Sequence, residues 1–240
     1  MDRVFVITVC RNAGKLLEPT LLSVLDQTYE NISYIVVDGA STDGTVEIVR
    51  KYEKHLAAWV SEPDKGIYDA MNKGLRMARN LIIDGETAWV NFMNAGDKFS
   101  DTQVVSDFFC QPIPVEVKVL IGHFNRCEGN VKVLNKADGV DYLPAWMPFC
   151  HQATFTRLEC CQFDTRYRIA ADYNLFYNLY NNFNSGAFVI KDRVVADFLM
   201  DGSTTYSNLR TTKKEILRIQ SRHKNWFWIK EFIKWILHRK

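Results

Sequence analysis

Apolar residues along the first hundred positions fall into two alternating textures. Val4 to Val9 is a short β-rich run ending at the polar turn Arg11-Asn12-Ala13-Gly14, after which Leu17, Leu21, Leu22, Val24 and Leu25 recur at helical spacing. Ser33 to Val37 predicts a second strand, which stops at Asp38-Gly39. The polar run Ser41-Thr42-Asp43-Gly44-Thr45 supplies capping groups for a helix whose apolar face holds Val46, Ile48 and Val49. Ala58 to Ser61 predicts a third strand, Ile67 to Ala78 a helix, and Ala88 to Met93 a fourth strand ending at Asn94-Ala95-Gly96-Asp97. Strands separated by helices imply a parallel sheet with right-handed crossovers and ligands beyond the carboxyl ends of the strands. The loops Arg11-Asn12, Asp38 to Asp43, Glu62 to Asp69 and Asn94 to Asp97 are therefore expected on one rim. The second half is less regular. Val117 to Ile121, Val131 to Leu134 and Cys150 to Phe155 read as strands and Asp172 to Tyr180 as a helix, with no internal repeat or low-complexity tract.

Composition narrows the class. The 240 residues are 47% hydrophobic and 24% charged with 12 Gly and 6 Pro, which suits one globular domain with a sizeable core and room for an appendage. The apolar runs fall well short of the roughly 18 residues a membrane-spanning helix needs. The first strand carries neither the basic flank nor the small-residue cleavage site of a secretory signal, so a cytoplasmic location is expected. The six cysteines show no C-x-x-C spacing and are expected to be reduced and buried. The net charge of +2 conceals an asymmetry: residues 210 to 240 hold ten Lys or Arg against two Glu. Between Trp226 and Leu237 bulky apolar and aromatic residues alternate with Lys230, Lys234 and then His238 on one stripe. Such a helix suits an anionic membrane surface; the alternatives are a terminal helix packed on the domain or a dimer contact. Nucleic acid is not expected as a partner, because no recognised nucleic-acid module accompanies the basic residues.

Singly, Asp38 and Asp43 read as turn and cap residues. Several carboxylates on one rim, with no glycine-rich phosphate loop, point instead to a phosphorylated ligand held through a divalent cation.

Three stretches carry a resemblance: Ile7-Thr8-Val9-Cys10-Arg11-Asn12; Ile35-Val36-Val37-Asp38-Gly39-Ala40-Ser41-Thr42-Asp43-Gly44-Thr45; and Ser61-Glu62-Pro63-Asp64-Lys65-Gly66-Ile67-Tyr68-Asp69-Ala70-Met71-Asn72-Lys73-Gly74. They resemble family 2 glycosyltransferases of the GT-A fold, in the bacterial branch that builds exopolysaccharide, colanic-acid-like and O-antigen (lipopolysaccharide) units. Met93-Asn94-Ala95-Gly96-Asp97, Cys150-His151-Gln152-Ala153-Thr154-Phe155 and Ala171-Asp172-Tyr173 continue it, over roughly residues 3 to 205.

The resemblance implies an α/β fold, a Rossmann-like mostly parallel sheet flanked by helices, over residues 1–205, followed by a basic helical tail over 206–240. It implies an inverting, metal-dependent hexosyltransferase using Mn²⁺ or Mg²⁺. The donor would be a nucleotide-sugar, UDP-linked, and the acceptor a polyprenyl diphosphate-linked glycan. The protein would sit peripherally on the inner face of the cytoplasmic membrane. Asp38 would contact uracil or ribose, with Gly39 where many relatives carry a second aspartate. Asn12, Asp64 and Gln152 would complete the donor contacts. Asp97 would be the metal ligand, preceded by Gly96 rather than aspartate. Asp172 would be the catalytic base, and His151, which with Gln152 matches the family's acceptor-side or diphosphate-side pair, a second catalytic residue. Asp69 and Asn72 could reach the site or brace the loop before them, and Asp201-Gly202-Ser203 resembles a late Gly-Gly-x-Ser segment. A sugar-1-phosphate nucleotidyltransferase is disfavoured, because its glycine-rich N-terminal loop is lacking. A catalytically silent nucleotide- or lipid-binding protein is the remaining alternative: Gly39 and Gly96 favour it, Asp97 and Asp172 oppose it.

Overall fold

The computed structural model describes residues 1–83, 85–129, 131–200 and 208–223. The strands are β1 (Arg3–Cys10), β2 (Ile32–Asp38), β3 (Ala58–Ser61), β4 (Ala88–Phe92), β5 (Lys98–Phe99), β6 (Val119–Glu128), β7 (Val131–Asn135), β8 (Thr154–Arg157) and β9 (Phe188–Leu199). The helices are α1 (Leu17–Leu25), α2 (Thr45–Tyr52), α3 (Ile67–Asn80), α4 (Val104–Phe109), α5 (Ala171–Phe183) and α6 (Leu209–Arg222).

One sheet holds all these strands in the order β3-β2-β1-β4-β8-β6-β9-β5, with β7 paired to β6. The first four lie parallel, with β1 between β2 and β4. The position of β1 explains why its sequence is a continuous apolar run. Phe5, Ile7 and Val9 face the core layer that holds Met71 and Leu75 of α3, while Val4 and Val6 face the layer built on α1 and α2. A strand buried on both faces has no polar side to show. All four strands expected in this half are present, Ala58–Ser61 with the bounds the sequence suggests. The close packing of α3 on β1 depends on Gly74, where a Cβ would stand 2.5 Å from Ile7 Cγ2. Gly74→Ala is therefore expected to destabilise the fold by about 1–3 kcal/mol, against its better helix propensity, as urea denaturation would measure.

Beyond β4 the sheet is mixed. β8 pairs antiparallel with β4 and β6, β9 runs parallel to β6 with register shifts around His123, and β5 pairs antiparallel with β9. The expected strand from Cys150 to Phe155 is corrected here: His151–Ala153 forms a 3-10 turn and the strand starts at Thr154. The Thr154 hydroxyl donates to the His151 carbonyl at 2.8 Å and closes that turn. The cysteines are all free; Cys10 and Cys161 are buried, but Cys110 is exposed, contrary to expectation.

Helix α6 lies within the segment expected as tail, yet it packs on the domain. Ile219 is fully buried in the core. The Glu215 carboxylate accepts the backbone N–H groups of Arg168, Ile169 and Ala170, each at 2.9 Å, and so fixes the loop that delivers α5 to the site. Gln220 donates to the Ala145 carbonyl at 2.9 Å. Asp201-Gly202-Ser203 and the aromatic stretch Trp226 to Leu237 lie outside the described residues. Among the described residues no helix is long and apolar enough to cross a membrane.

Candidate functional site

The carboxyl ends of β1 and β2 open onto loops that are tied together. Gly39 N–H donates to the Cys10 carbonyl at 2.8 Å, Thr42 N–H to Asn12 Oδ1 at 2.9 Å, and Asn12 N–H to Ser41 Oγ at 2.7 Å. Asn12 and Ala40 hold φ of 48° and 57°. For alanine that left-handed conformation is costly and persists only where surrounding bonds impose it.

Within this frame Asp38 is not a presented carboxylate. It is fully buried, and it accepts from the Ser41 N–H at 2.9 Å, from the Ser41 hydroxyl, and from the Ser61 hydroxyl at 2.6 Å. Its carboxylate pins the β2 loop to the end of β3. Asp64 is half-buried, and its Oδ1 accepts Gly66 N–H at 2.8 Å. Its Oδ2 lies against Gly39, where a Cβ would collide with it. The space left by the missing side chain at Gly39 is filled by a carboxylate arriving from the next loop. Asn12 braces the loops through its side chain and stays exposed at the rim. Asp69 and Asn72 are braces: Asp69 accepts Lys65 N–H at 3.0 Å, and Asn72 exchanges two hydrogen bonds with the Phe163 backbone at 2.9 and 3.0 Å.

The loop after β4 delivers Asp97 into a cavity of about 500 Å³, which it shares with Asn94, His151, Gln152, Asp172 and Tyr68. Asp97 is buried. Its Oδ1 accepts Leu199 N–H and its Oδ2 accepts Gln152 Nε2, both at 2.9 Å. Gln152, expected among the donor contacts, therefore aims the Asp97 carboxylate. Burial pushes the Asp97 carboxyl up to about 6, against the lowering effect of those two hydrogen bonds and of His151. Gly96 holds φ 103°, and a Cβ there would press Leu199 at 3.2 Å, so the tight turn explains why no second aspartate precedes Asp97.

Asp172 sits in the first turn of α5, with 19% of its side chain exposed. Oδ2 accepts from His151 Nδ1 at 3.0 Å, and Oδ1 accepts Tyr173 N–H at 2.8 Å. Tyr68 OH donates to the Ile169 carbonyl at 2.6 Å and stands 3.0 Å from the same Oδ1. Burial raises this carboxyl, but the hydrogen bond and charge of His151, with Tyr173 N–H and Tyr68, hold it below the usual aspartate value. It is an anion at neutral pH. On the other side of the ring, His151 Nε2 lies 3.4 Å from the Asn94 amide nitrogen.

Asn94 Oδ1 is buried without a hydrogen-bond partner among the described residues. Among the described residues no group of three or more His, Cys, Asp or Glu forms a protein-only metal cage. Asp97 with this unpartnered oxygen is a hard-oxygen pair, which fits a Mg²⁺ or Mn²⁺ ion taking its other ligands from phosphate and water. The resemblance singled out neither Tyr68 nor Asn94. The only signal for either is its place inside a family motif.

Residues 5–104 match the family described as Glycosyl transferase family 2. The putative teichuronic acid biosynthesis glycosyltransferase TuaG of Bacillus subtilis strain 168 is 37% identical over 97 residues, 40% of this chain and 36% of that protein. The chain spans 36–37% of the length of the curated relatives it matches at 37–40% identity. The solved structure of S. aureus TarS 1-349 in complex with UDP-GlcNAc superposes with a TM-score of 0.68 at 18% identity, covering 91% of this chain and 65% of that one. The mannosyltransferase PcManGT from Pyrobaculum calidifontis, in complex with GDP-Man and Mn²⁺, gives 0.65 at 19% identity, covering 92% and 64%. These likenesses show the GT-A fold.

Proposed function

From the match of residues 5–104 to glycosyl transferase family 2 we propose that the chain moves a sugar from a UDP-linked donor onto a lipid-linked glycan, a polyprenyl diphosphate acceptor, in the assembly of a bacterial surface polysaccharide. The observation that carries the reading is the convergence of Asp97, Asn94, His151 and Asp172 on one cavity beside the carboxyl ends of β1 and β4. The UDP-GlcNAc and GDP-Man complexes of TarS and PcManGT support a nucleotide-sugar donor.

In this reading the acceptor hydroxyl attacks the anomeric carbon on the face opposite the leaving group. The new C–O bond forms as the bond to phosphate breaks, the electron pair leaves with the nucleoside diphosphate, and the configuration inverts. Asp172 takes the hydroxyl proton, which its depressed pKa leaves it free to do at neutral pH. His151 orients that carboxylate through Nδ1. A divalent cation held by Asp97 and Asn94 would supply neutralisation of charge growing on the diphosphate. Gln152 and Leu199 N–H hold Asp97 in position. Asn12 and Asp64 provide the nucleoside contacts, and Asp38 keeps the two loops that carry them together. The catalytic unit includes α6, and the basic aromatic segment Trp226 to Leu237 is the contact to the inner face of the cytoplasmic membrane.

The test is nucleotide release from a panel of UDP-, GDP- and TDP-sugars with Mn²⁺ or with EDTA. Metal-dependent turnover of a UDP-sugar is the expected result. Turnover equal in EDTA sinks the metal assignment, and silence across the panel together with no metal-dependent nucleotide binding sinks the transferase reading.

A further inference from the structure

The cavity does not end at the reacting residues. It continues between the β6–β7 hairpin and the α5–α6 pair, and Asn12, Asp38 and Asp64 are not among its lining residues. The space thus extends to the side away from the proposed nucleoside contacts. Three cations from separate segments line this part of its wall: Arg126 of β6, Lys136 just past β7, and Arg168 in the loop before α5.

Among the described residues these cations are largely uncommitted. Neither Arg126 nor Arg168 makes a side-chain hydrogen bond or ion pair with a described residue. Lys136 has only a 4.0 Å contact to Asp192, itself 90% exposed. By contrast, Arg193 is bound to Asp101 and Asp107 at 2.7 Å. One acid, Asp138, shares the wall, which leaves it net positive. The strand register puts Arg126 beside Val133 on one side and Phe198 on the other, and Phe198 packs edge-on against Phe124 with ring centroids 6.2 Å apart. Apolar walls lower the local dielectric and make unpaired guanidinium groups strong anion binders.

We propose that this wall is an acceptor subsite for a phosphate or diphosphate group, held by Arg126, Lys136 and Arg168 while a hydroxyl of the same molecule faces Asp172. The inference rests on the transferase reading above, because that reading makes Asp172 the acceptor side of the cavity. It adds where the acceptor's anion is bound: on this wall, apart from the donor's diphosphate. Lipid-linked and free sugar phosphates share this chemistry.

The test titrates full-length protein, saturated with UDP at constant free Mg²⁺, with geranyl diphosphate and with glucose 1-phosphate. The same titrations are made on the double variant Arg126→Gln/Lys136→Gln. Binding to the UDP-loaded wild type, weakened roughly tenfold or more in the variant while UDP affinity moves by no more than about twofold, supports the subsite. Tighter binding of geranyl diphosphate identifies a lipid-linked source, and tighter binding of glucose 1-phosphate a free one. Displacement of either probe by UDP overturns the proposal, since the cations would then serve the donor. Equal probe affinity in variant and wild type overturns it too. If UDP fails to bind wild type at all, the transferase reading fails, and the variant's loss or retention of probe binding still decides the anion site.

Discussion

Asp172→Asn is expected to lower sugar transfer by about 10²–10⁴-fold while donor affinity changes by no more than about twofold. The substitution keeps size and shape but removes the negative charge that accepts the proton. It also leaves the surroundings largely in place, because an asparagine carbonyl oxygen can still accept Tyr173 N–H, now 2.8 Å from Oδ1. His151 Nδ1 loses its carboxylate partner, so part of the loss comes through the histidine's orientation. His151→Gln separates the two: it is expected to slow transfer less than Asp172→Asn, since a carboxylate base remains. The pH profile adds an independent check. Asp172 is held below its ordinary pKa, so it stays ionised down through mildly acid pH and does not set the acid limb. That limb is expected from Asp97, whose carboxyl burial raises to about 6 in the metal-free protein, so that protons compete with the cation for it as pH falls. Transfer by wild type should therefore fall on the acid side at a pH that drops as Mn²⁺ is raised, and the residual rate of Asp172→Asn should show the same limb. A variant that retains more than about a tenth of the wild-type rate would remove Asp172 from the role of base.

What the sequence makes legible follows from periodicity. β1, β2 and β4 are buried on both faces, so their apolar runs stand out, and the polar loops at their ends mark the rim. β9 is illegible for the opposite reason. Its apolar residues are interrupted by Lys191, Asp192 and Arg193, and its pairing with β6 shifts register near His123, so neither a period of two nor an unbroken run survives. The motif residues are legible as positions but not as roles. Asp38 and Gln152 occupy expected places, but that one accepts from two serines and the other donates to Asp97 is visible only in the fold. Burial and partner choice depend on residues twenty to a hundred positions away, which local pattern does not encode. Gly39 shows the same limit from the other side. In sequence it is a missing carboxylate, and in space Asp64 stands against it.

Asp97→Asn is expected to abolish metal-dependent turnover, by about 10²-fold or more, and at the same time to make the metal-free protein more stable. Both effects come from one buried charge. Burial raises the carboxyl from 3.8 to about 6, so above pH 6 the metal-free fold carries an ionised group that would be more comfortable in the unfolded chain. The cost is on the order of 3 kcal/mol, which is an upper figure for what asparagine recovers. Some is lost again, because the variant's amide nitrogen can face Gln152 Nε2 only if the glutamine amide turns, and Gln152 Oε1 is taken by Cys150 Sγ at 2.8 Å. The sign with pH is fixed. A raised folded-state pKa contributes stability at low pH that is lost as pH rises through about 6, so wild type and variant should differ most at about pH 8 and converge at about pH 4. Urea denaturation in EDTA at both values measures this. UDP with Mn²⁺ should then restore wild-type stability at about pH 8 and leave the variant unchanged. A variant less stable than wild type at both pH values would mean that Asp97 is held for its hydrogen bonds to Leu199 and Gln152 rather than as a carboxylate waiting for a cation.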